Sequence, residues 1–466
     1  MRMSRREVLK GAGALPLSAG ASTLPFFAGQ ALAQTGLAQT VPAASPTAIP
    51  PVLFVHGNGD HAALWITTLW RMESNGVPRE RMAAINFTDP LARTDDKVEQ
   101  ANRSSTEDQR RELGDAIKDL QRRTGAARIA LVGNSRGGYS IRAYIKNGGG
   151  ADISHAVLCG VPNHGVYDWD DGINGEFNGR GPFLRGLNEG ESEVTPGTAF
   201  LTLRSDGNDK FAQGDGRFVG KPGVPTGITS EGPSLKGATN LALGVLDHRE
   251  VGFHPRAFRE IYKFIAGREP SRIEIVPEAE VRLSGLVTGT PGGVQTNRPV
   301  SGATVEIYRV SSDTGERIGG PIHASQTTAD GRWGPAQVEP TWYLEFVLAS
   351  AGAPTTHIYR SPFPRSSDIV HLRAARPLGT ADAGAGAVVL MSRPRGYFGL
   401  PRDVVLIDGK EPKDVKSGVP TDSVTTLRLP AEDAGRPVVA IFNTERIVAR
   451  AWPASENRIA VAELTY

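Results

Sequence analysis

The sequence predicts an α/β domain, a mainly parallel sheet flanked by helices, followed by an all-β region. Three observations carry this. Up to about residue 270, short apolar runs ending in glycine turns alternate with helical patterns. One of these units, around residues 128–144, is a compact strand–turn–helix. Beyond 270, strand-like segments recur without helices between them.

Taken in order, Val52–Val55 is an apolar run ending in His56-Gly57-Asn58-Gly59-Asp60, a strand and a glycine turn. Residues 104–123 carry charges with Leu113, Ile117 and Leu120 on one helical face, behind a Ser/Thr cluster suited to an N-cap. Arg128–Val132 is a second buried-strand run, followed by Gly133-Asn134-Ser135-Arg136-Gly137 and a helical stretch through Tyr144. Ala156–Leu158 and Thr198–Leu203 are further strands, and Pro255–Ala266 a closing helix. Strands alternating with helices imply right-handed crossovers and a parallel sheet. In the second half, Ala279–Val287, Ala303–Val310, Trp342–Ala349, Val388–Met391 and Val438–Phe442 are short strand candidates, some separated by clusters such as Thr290-Pro-Gly-Gly293. They suggest a sandwich or barrel. The expected organisation is a catalytic domain over 51–270, a β-sandwich-like domain over 271–380 and a second β-rich domain over 381–466.

Length and charge narrow the classes. A chain of 466 residues exceeds what one hydrophobic core usually holds. Its 52 basic and 50 acidic side chains leave a net charge of +2 with no concentrated basic face, so nucleic acid is not an expected partner. Cys159, the single cysteine, forbids an intramolecular disulfide. It follows Ala156-Val157-Leu158 and is expected to be a buried, inert thiol. At the N-terminus, Ser4-Arg5-Arg6-Glu7-Val8-Leu9-Lys10 has the pattern of a twin-arginine export signal. A Gly/Ala-rich apolar stretch and the small-residue site Ala31-Leu32-Ala33 follow. A signal peptide over 1–33, a flexible leader over 34–50 and a periplasmic or secreted location are therefore expected.

Candidate chemistry centres on Gly133-Asn134-Ser135-Arg136-Gly137, a G-x-S-x-G motif whose context outweighs its pattern. A sharp turn between strand and helix exposes the serine hydroxyl above the sheet edge and requires small neighbours. Serine is a poor nucleophile unless a base takes its proton. In chain order the acid and then the histidine should follow. His248, in Leu246-Asp247-His248-Arg249-Glu250, lies just before the closing helix and is preferred as base. His254, next to Pro255, suits a helix cap, while His155 and His164 suit structural roles. For the acid, Asp209 is chosen over Asp206, because aspartates placed like Asp206 bind turn backbone. Asp168, Asp170 and Asp171 fit a solvated loop. Donors to a developing oxyanion are expected from the backbone N–H groups of Arg136 and Asn58. His56 has no partner at metal-ligand spacing, so neither a metal nor another cofactor is expected.

With Pro-Val-Leu-Phe-Val-His56-Gly57, the serine motif and Leu246-Asp247-His248 in view, the chain resembles bacterial and archaeal lipases of the α/β-hydrolase superfamily. The stretch from Ala238-Thr-Asn-Leu241 to Phe264-Ile265, and His357-Ile-Tyr-Arg-Ser-Pro-Phe-Pro-Arg365, are similar to parts of archaeal lipases with a C-terminal β-barrel region. The resemblance implies acyl-ester hydrolysis, with the β region helping to bind lipid. It departs where such relatives take their acid from just after the strand following the nucleophile helix. This chain has Leu158-Cys159-Gly160 there, which leaves the later loop and supports Asp209.

Glycine-rich residues 166–195, with Tyr167, Trp169, Phe177 and Phe183, fit either a lid or an ordinary loop. The expected function is a serine-dependent carboxylic ester hydrolase, a lipase or esterase. An extracellular polyester depolymerase, or a non-catalytic binding protein on the same scaffold, are the alternatives. A lipid surface or polymer is the partner expected for the β region.

Overall fold

The apolar runs of the first half become strands because a strand buried on both faces needs hydrophobic side chains at successive positions. In the computed structural model, which describes residues 49–466, six strands form one all-parallel sheet. They are β1 (Val52–Val55), β2 (Met82–Ala84), β3 (Ile129–Asn134), β4 (Ile153–Cys159), β5 (Ala199–Arg204) and β6 (Thr239–Ala242), ordered β2-β1-β3-β4-β5-β6. The signal segment, and the leader up to residue 48, lie outside the described residues.

Helices cover both faces. Leu53 and Val55 of β1 pack with Leu113, Ile117 and Leu120 of α2 (Thr106–Thr124) and Ile141 of α3 (Arg136–Lys146). Their neighbours Val52 and Phe54 turn to the other side, against Leu69 and Met72 of α1 (Ile66–Ser74) and Phe258 and Ile261 of the closing helix (Pro255–Ala266). The period-two alternation of a strand thus builds two cores from one run. Helix α2 begins where the Ser/Thr cluster predicts, with Ser105 and Asp108 forming a reciprocal capping box.

The second half is mostly β. A three-stranded sheet is built on Val281–Val287, Arg332–Val338 and Ser367–Leu372, and a seven-stranded mixed sheet runs from Val424–Leu429 to His323–Gln326. A second three-stranded sheet consists of Val405–Ile407, Pro437–Phe442 and Glu445–Arg450. The large sheet is shared by two cores. In its strand Arg458–Glu463, Ile459 and Val461 face the first small sheet, while Ala460 and Ala462 face the second. Ile66 and Trp70 of α1 join the first of these β cores, and Trp70 Nε1 donates to Ser366 O at 3.0 Å. The described residues therefore form one unit, with α1 reaching across. Among them, no helix is long and apolar enough to cross a membrane.

Candidate active site

Strand β3 ends at Asn134 and α3 starts at Arg136, so Ser135 alone makes the turn. It does so at φ 52° and ψ −125°, a region that costs a non-glycine residue on the order of 1–3 kcal/mol. The flanks leave no room for side chains. A Cβ on Gly133 would lie 2.6 Å from Ile141 Cδ1, and one on Gly137 would lie 2.6 Å from the His56 carbonyl oxygen. The strain is held in part by a hydrogen bond from Ser135 N–H to Cys159 O at 2.9 Å.

The structure brings Ser135, His248 and Asp209 into one chain of hydrogen bonds. His248 Nε2 lies 2.9 Å from Ser135 Oγ, and Nδ1 lies 2.9 Å from Asp209 Oδ2. A carboxylate can only accept, so Nδ1 carries the proton and Nε2 accepts from the serine hydroxyl. All three residues are buried. Phe211, two residues beyond Asp209, meets the imidazole edge-on at 4.7 Å between ring centroids.

Neighbouring groups fix these three. Asn134, inside the serine motif, donates through Nδ2 to His248 O (3.1 Å) and Cys159 O (3.0 Å), tying the histidine loop to the Ser135 turn. Asp206 binds loop backbone, accepting from Asn208 N at 3.0 Å and Val245 N at 2.8 Å. His254 caps the closing helix, its Nδ1 accepting from Arg256 N. His164 pairs with Glu193, and Asp168 and Asp170 pair with Arg180. Cys159 is fully buried, which pushes its thiol pKa up.

The expected oxyanion donors stand on the two turns. The Asn58 side chain is occupied, accepting from Ala92 N at 2.8 Å, and among the described residues its backbone N–H enters no turn or loop bond. His56 braces this turn. Nδ1 donates to Gly57 O and Nε2 accepts from Phe87 N–H, and burial lowers its pKa to about 4, so it stays neutral. The Arg136 backbone N–H opens α3, while its buried guanidinium pairs with Glu176 and donates to Ser104 Oγ and O and to Pro90 O. Glu176 belongs to the segment 166–195, which is thus tethered directly to α3.

A cavity of about 260 Å³ opens onto Ser135 and His248, lined by Val166, Tyr167, Phe177, Phe211, Phe218, Val219 and Tyr397. Tyr397 comes from the β region, a contribution for which no sequence motif gives a sign. Its surroundings hold the histidine loop as well. Asp247 Oδ2 accepts from Arg393 Nη1 at 2.9 Å and from Tyr397 N at 2.7 Å, and Arg393 Nη2 pairs with Glu250 at 2.6 Å. Burial alone would raise the Asp247 carboxyl, but Arg393 and Arg402 outweigh it and hold the pKa low. Glu250, desolvated beside that carboxylate, is pushed up. Lys210, next to Asp209, is lowered to about 8 by burial and then by Arg249, and its Nζ sits 3.8 Å over the Tyr397 ring.

Two family models match this chain: palmitoyl protein thioesterase over residues 51–187 and lipase C-terminal domain over residues 279–377. No curated protein matches it. Among solved structures it is similar to lipase B of Aspergillus fumigatus, at 14% identity and a TM-score of 0.34 over 48% of this chain. The alignment spans about half of that lipase, 54% of its length. It is also similar to the propeptide form of Bacillus licheniformis lipase BlEst2 (18% identity, TM-score 0.35, 64% of this chain and 71% of that one). Phospholipase PlaB of Legionella pneumophila aligns at 12% identity and a TM-score of 0.32, over 71% of this chain and 94% of that one. The helix-flanked parallel sheet followed by a mostly β second half gives this chain an α/β-hydrolase-like fold, with its first part matching the palmitoyl protein thioesterase model and its β region matching the lipase C-terminal domain model.

Proposed function

We propose that the protein is a serine-dependent carboxylic ester hydrolase working through an acyl-enzyme on Ser135. The observation that carries this is the pair of 2.9 Å contacts linking Ser135, His248 and Asp209 at the floor of a largely apolar cavity. Ser135 Oγ attacks the acyl carbon as His248 Nε2 takes its proton, and Asp209 stabilises the imidazolium. The carbonyl oxygen, now negative, accepts from the backbone N–H groups of Asn58 and Arg136. When the intermediate collapses, the ester C–O bond breaks and the imidazolium returns the proton to the leaving alkoxide. Water, deprotonated by His248, then attacks the acyl-enzyme. The acid is released and the proton returns to Ser135.

Phe177, Phe211, Phe218, Val166 and Val219 supply the apolar surface an acyl chain needs. The twin-arginine pattern supports export to the periplasm or beyond. The test is hydrolysis of p-nitrophenyl esters from short to long acyl chains, with emulsified triglyceride and polyester film alongside. Turnover of soluble esters with a defined chain-length optimum is expected. Turnover of film alone would favour a depolymerase, and no turnover at all would favour a binding protein.

A further inference from the structure

A second cavity, of about 320 Å³, shares a wall with the first: the Asp60–Arg249 ion pair, at 3.4 Å, lines both. It lies between the two halves of the chain, and its charges do not balance. Four arginines line it (Arg249, Arg360, Arg373 and Arg395) against two carboxylates, Asp60 and Glu463. Asp60 faces Arg249, and Glu463 pairs with Arg360 Nη1 at 2.6 Å. The other two arginines have only neutral partners. Arg373 Nη2 donates to Thr296 O and Thr288 Oγ1, and Arg395 to the carbonyls of Thr465 and Leu464. Burial lowers both to about 10, which leaves them cationic at neutral pH. His61 and His371, stacked at 3.7 Å on the same wall, are held neutral by burial and add no charge.

Both charges are thus buried with no direct ion pair among the described residues: Asp60 and Glu463 act on Arg373, and Glu463 and Glu445 on Arg395, only from a distance, an arrangement that costs free energy which a bound anion would offset. Unsatisfied donors stand on two of the lining arginines. Arg360 is 2% exposed, and its Nε and Nη2, with Arg373 Nε, have no hydrogen-bond partner among the described residues. The remaining lining is mixed: Gln295, Ser392 and Ser423 are polar, while Ile66, Ile358, Val370, Leu390 and Val461 form an aliphatic stretch, and Val424, 45% exposed, stands at the rim. We propose that this cavity binds an organic carboxylate on a short apolar chain, its head on Arg360 and Arg373 and its chain along these aliphatic side chains. The inference goes beyond the ester-hydrolase reading and stands without it, because neither Arg360 nor Arg373 lines the catalytic cavity.

The test is isothermal titration of the full chain with octanoate, acetate, inorganic phosphate and octyl glucoside. Octanoate is expected to bind one to one, with acetate and phosphate roughly tenfold weaker or more, since each buried methylene and each charged hydrogen bond contributes. The uncharged glucoside should not bind. Arg373→Gln, which strips no carboxylate of its partner, should weaken octanoate about tenfold. Arg360→Gln should do the same, and if losing the Glu463 pair unfolds it, Arg373→Gln decides alone. No octanoate binding, equal binding by Arg373→Gln, or phosphate tighter than octanoate would each overturn the proposal.

Discussion

Two aspartates three positions apart have different work in the same loop. Asp209 reaches the imidazole, while Asp206 spends its oxygens on Asn208, Val245 and Ser205. Asp209→Asn should lower kcat by about 10³–10⁴-fold while the fold persists, because the amide no longer secures the tautomer and cannot stabilise imidazolium. Asp206→Asn should leave kcat within about tenfold and appear instead as lost stability, of order 1 kcal/mol, from weaker backbone bonds. Kinetics and urea melts on both variants separate the roles; the opposite pattern would move the acid to Asp206. Only part of this division is legible in sequence. Chain order and the absence of a carboxylate at Leu158-Cys159-Gly160 direct attention to the later loop. That Asp206 turns back to bind backbone follows from a general habit of aspartates in turns. Phe211 against His248, and Asn134 binding two carbonyls at once, are long-range contacts for which local sequence holds no sign.

Among the elements, the histidine loop is held from the β region as well as from its own sheet. Arg393 bridges Asp247 and Glu250, the residues flanking His248 and Arg249, and is 3% exposed. Arg393→Met leaves that acidic pair partly uncompensated and should destabilise the protein by about 3–5 kcal/mol. Before the global transition, it should also lower kcat more than it raises KM, since the base shifts while the substrate cavity largely remains. Denaturation and steady-state kinetics would show it, and unchanged values for both would refute the linkage. The closing helix gives a pH signature. His254, its cap, is lowered from 6.5 to about 4 by burial and by Arg256. Between those values the unfolded chain holds the proton and the folded one does not, so stability falls as pH drops from 6.5 toward 4. His254→Asn keeps a capping side chain without that titration and should remove on the order of 1–2 kcal/mol of the loss, discounted for partial exposure. Urea melts at pH 7.5 and 5 test this; an identical acid loss in the variant would contradict it.

For the whole molecule, the parallel sheet is legible where its strands are buried on both faces and obscure at its edges. β1, β3, β4 and β5 read as apolar runs, whereas the edge strands β2 and β6 are short, half-exposed and unmarked by such runs. The second half is legible as strand-rich, but its sharing of one large sheet between two cores needs the register of Ile459 and Val461 against Ala460 and Ala462. Its part in the site is hidden for the same reason. Tyr397 and Arg393 stand roughly 150 residues beyond His248, brought there by packing of α1 and the β sheets.

Under the proposed function, Ser135 carries the acyl group. The most direct measurement of this is the intact mass of the protein after brief exposure to a p-nitrophenyl ester or a fluorophosphonate, mapped by peptide digestion and repeated on Ser135→Ala. One adduct on the Ser135 peptide is expected, none in the variant, and a fall in kcat of roughly 10⁵-fold. An adduct elsewhere, or an alanine variant that still turns over ester at the parental rate, would contradict it.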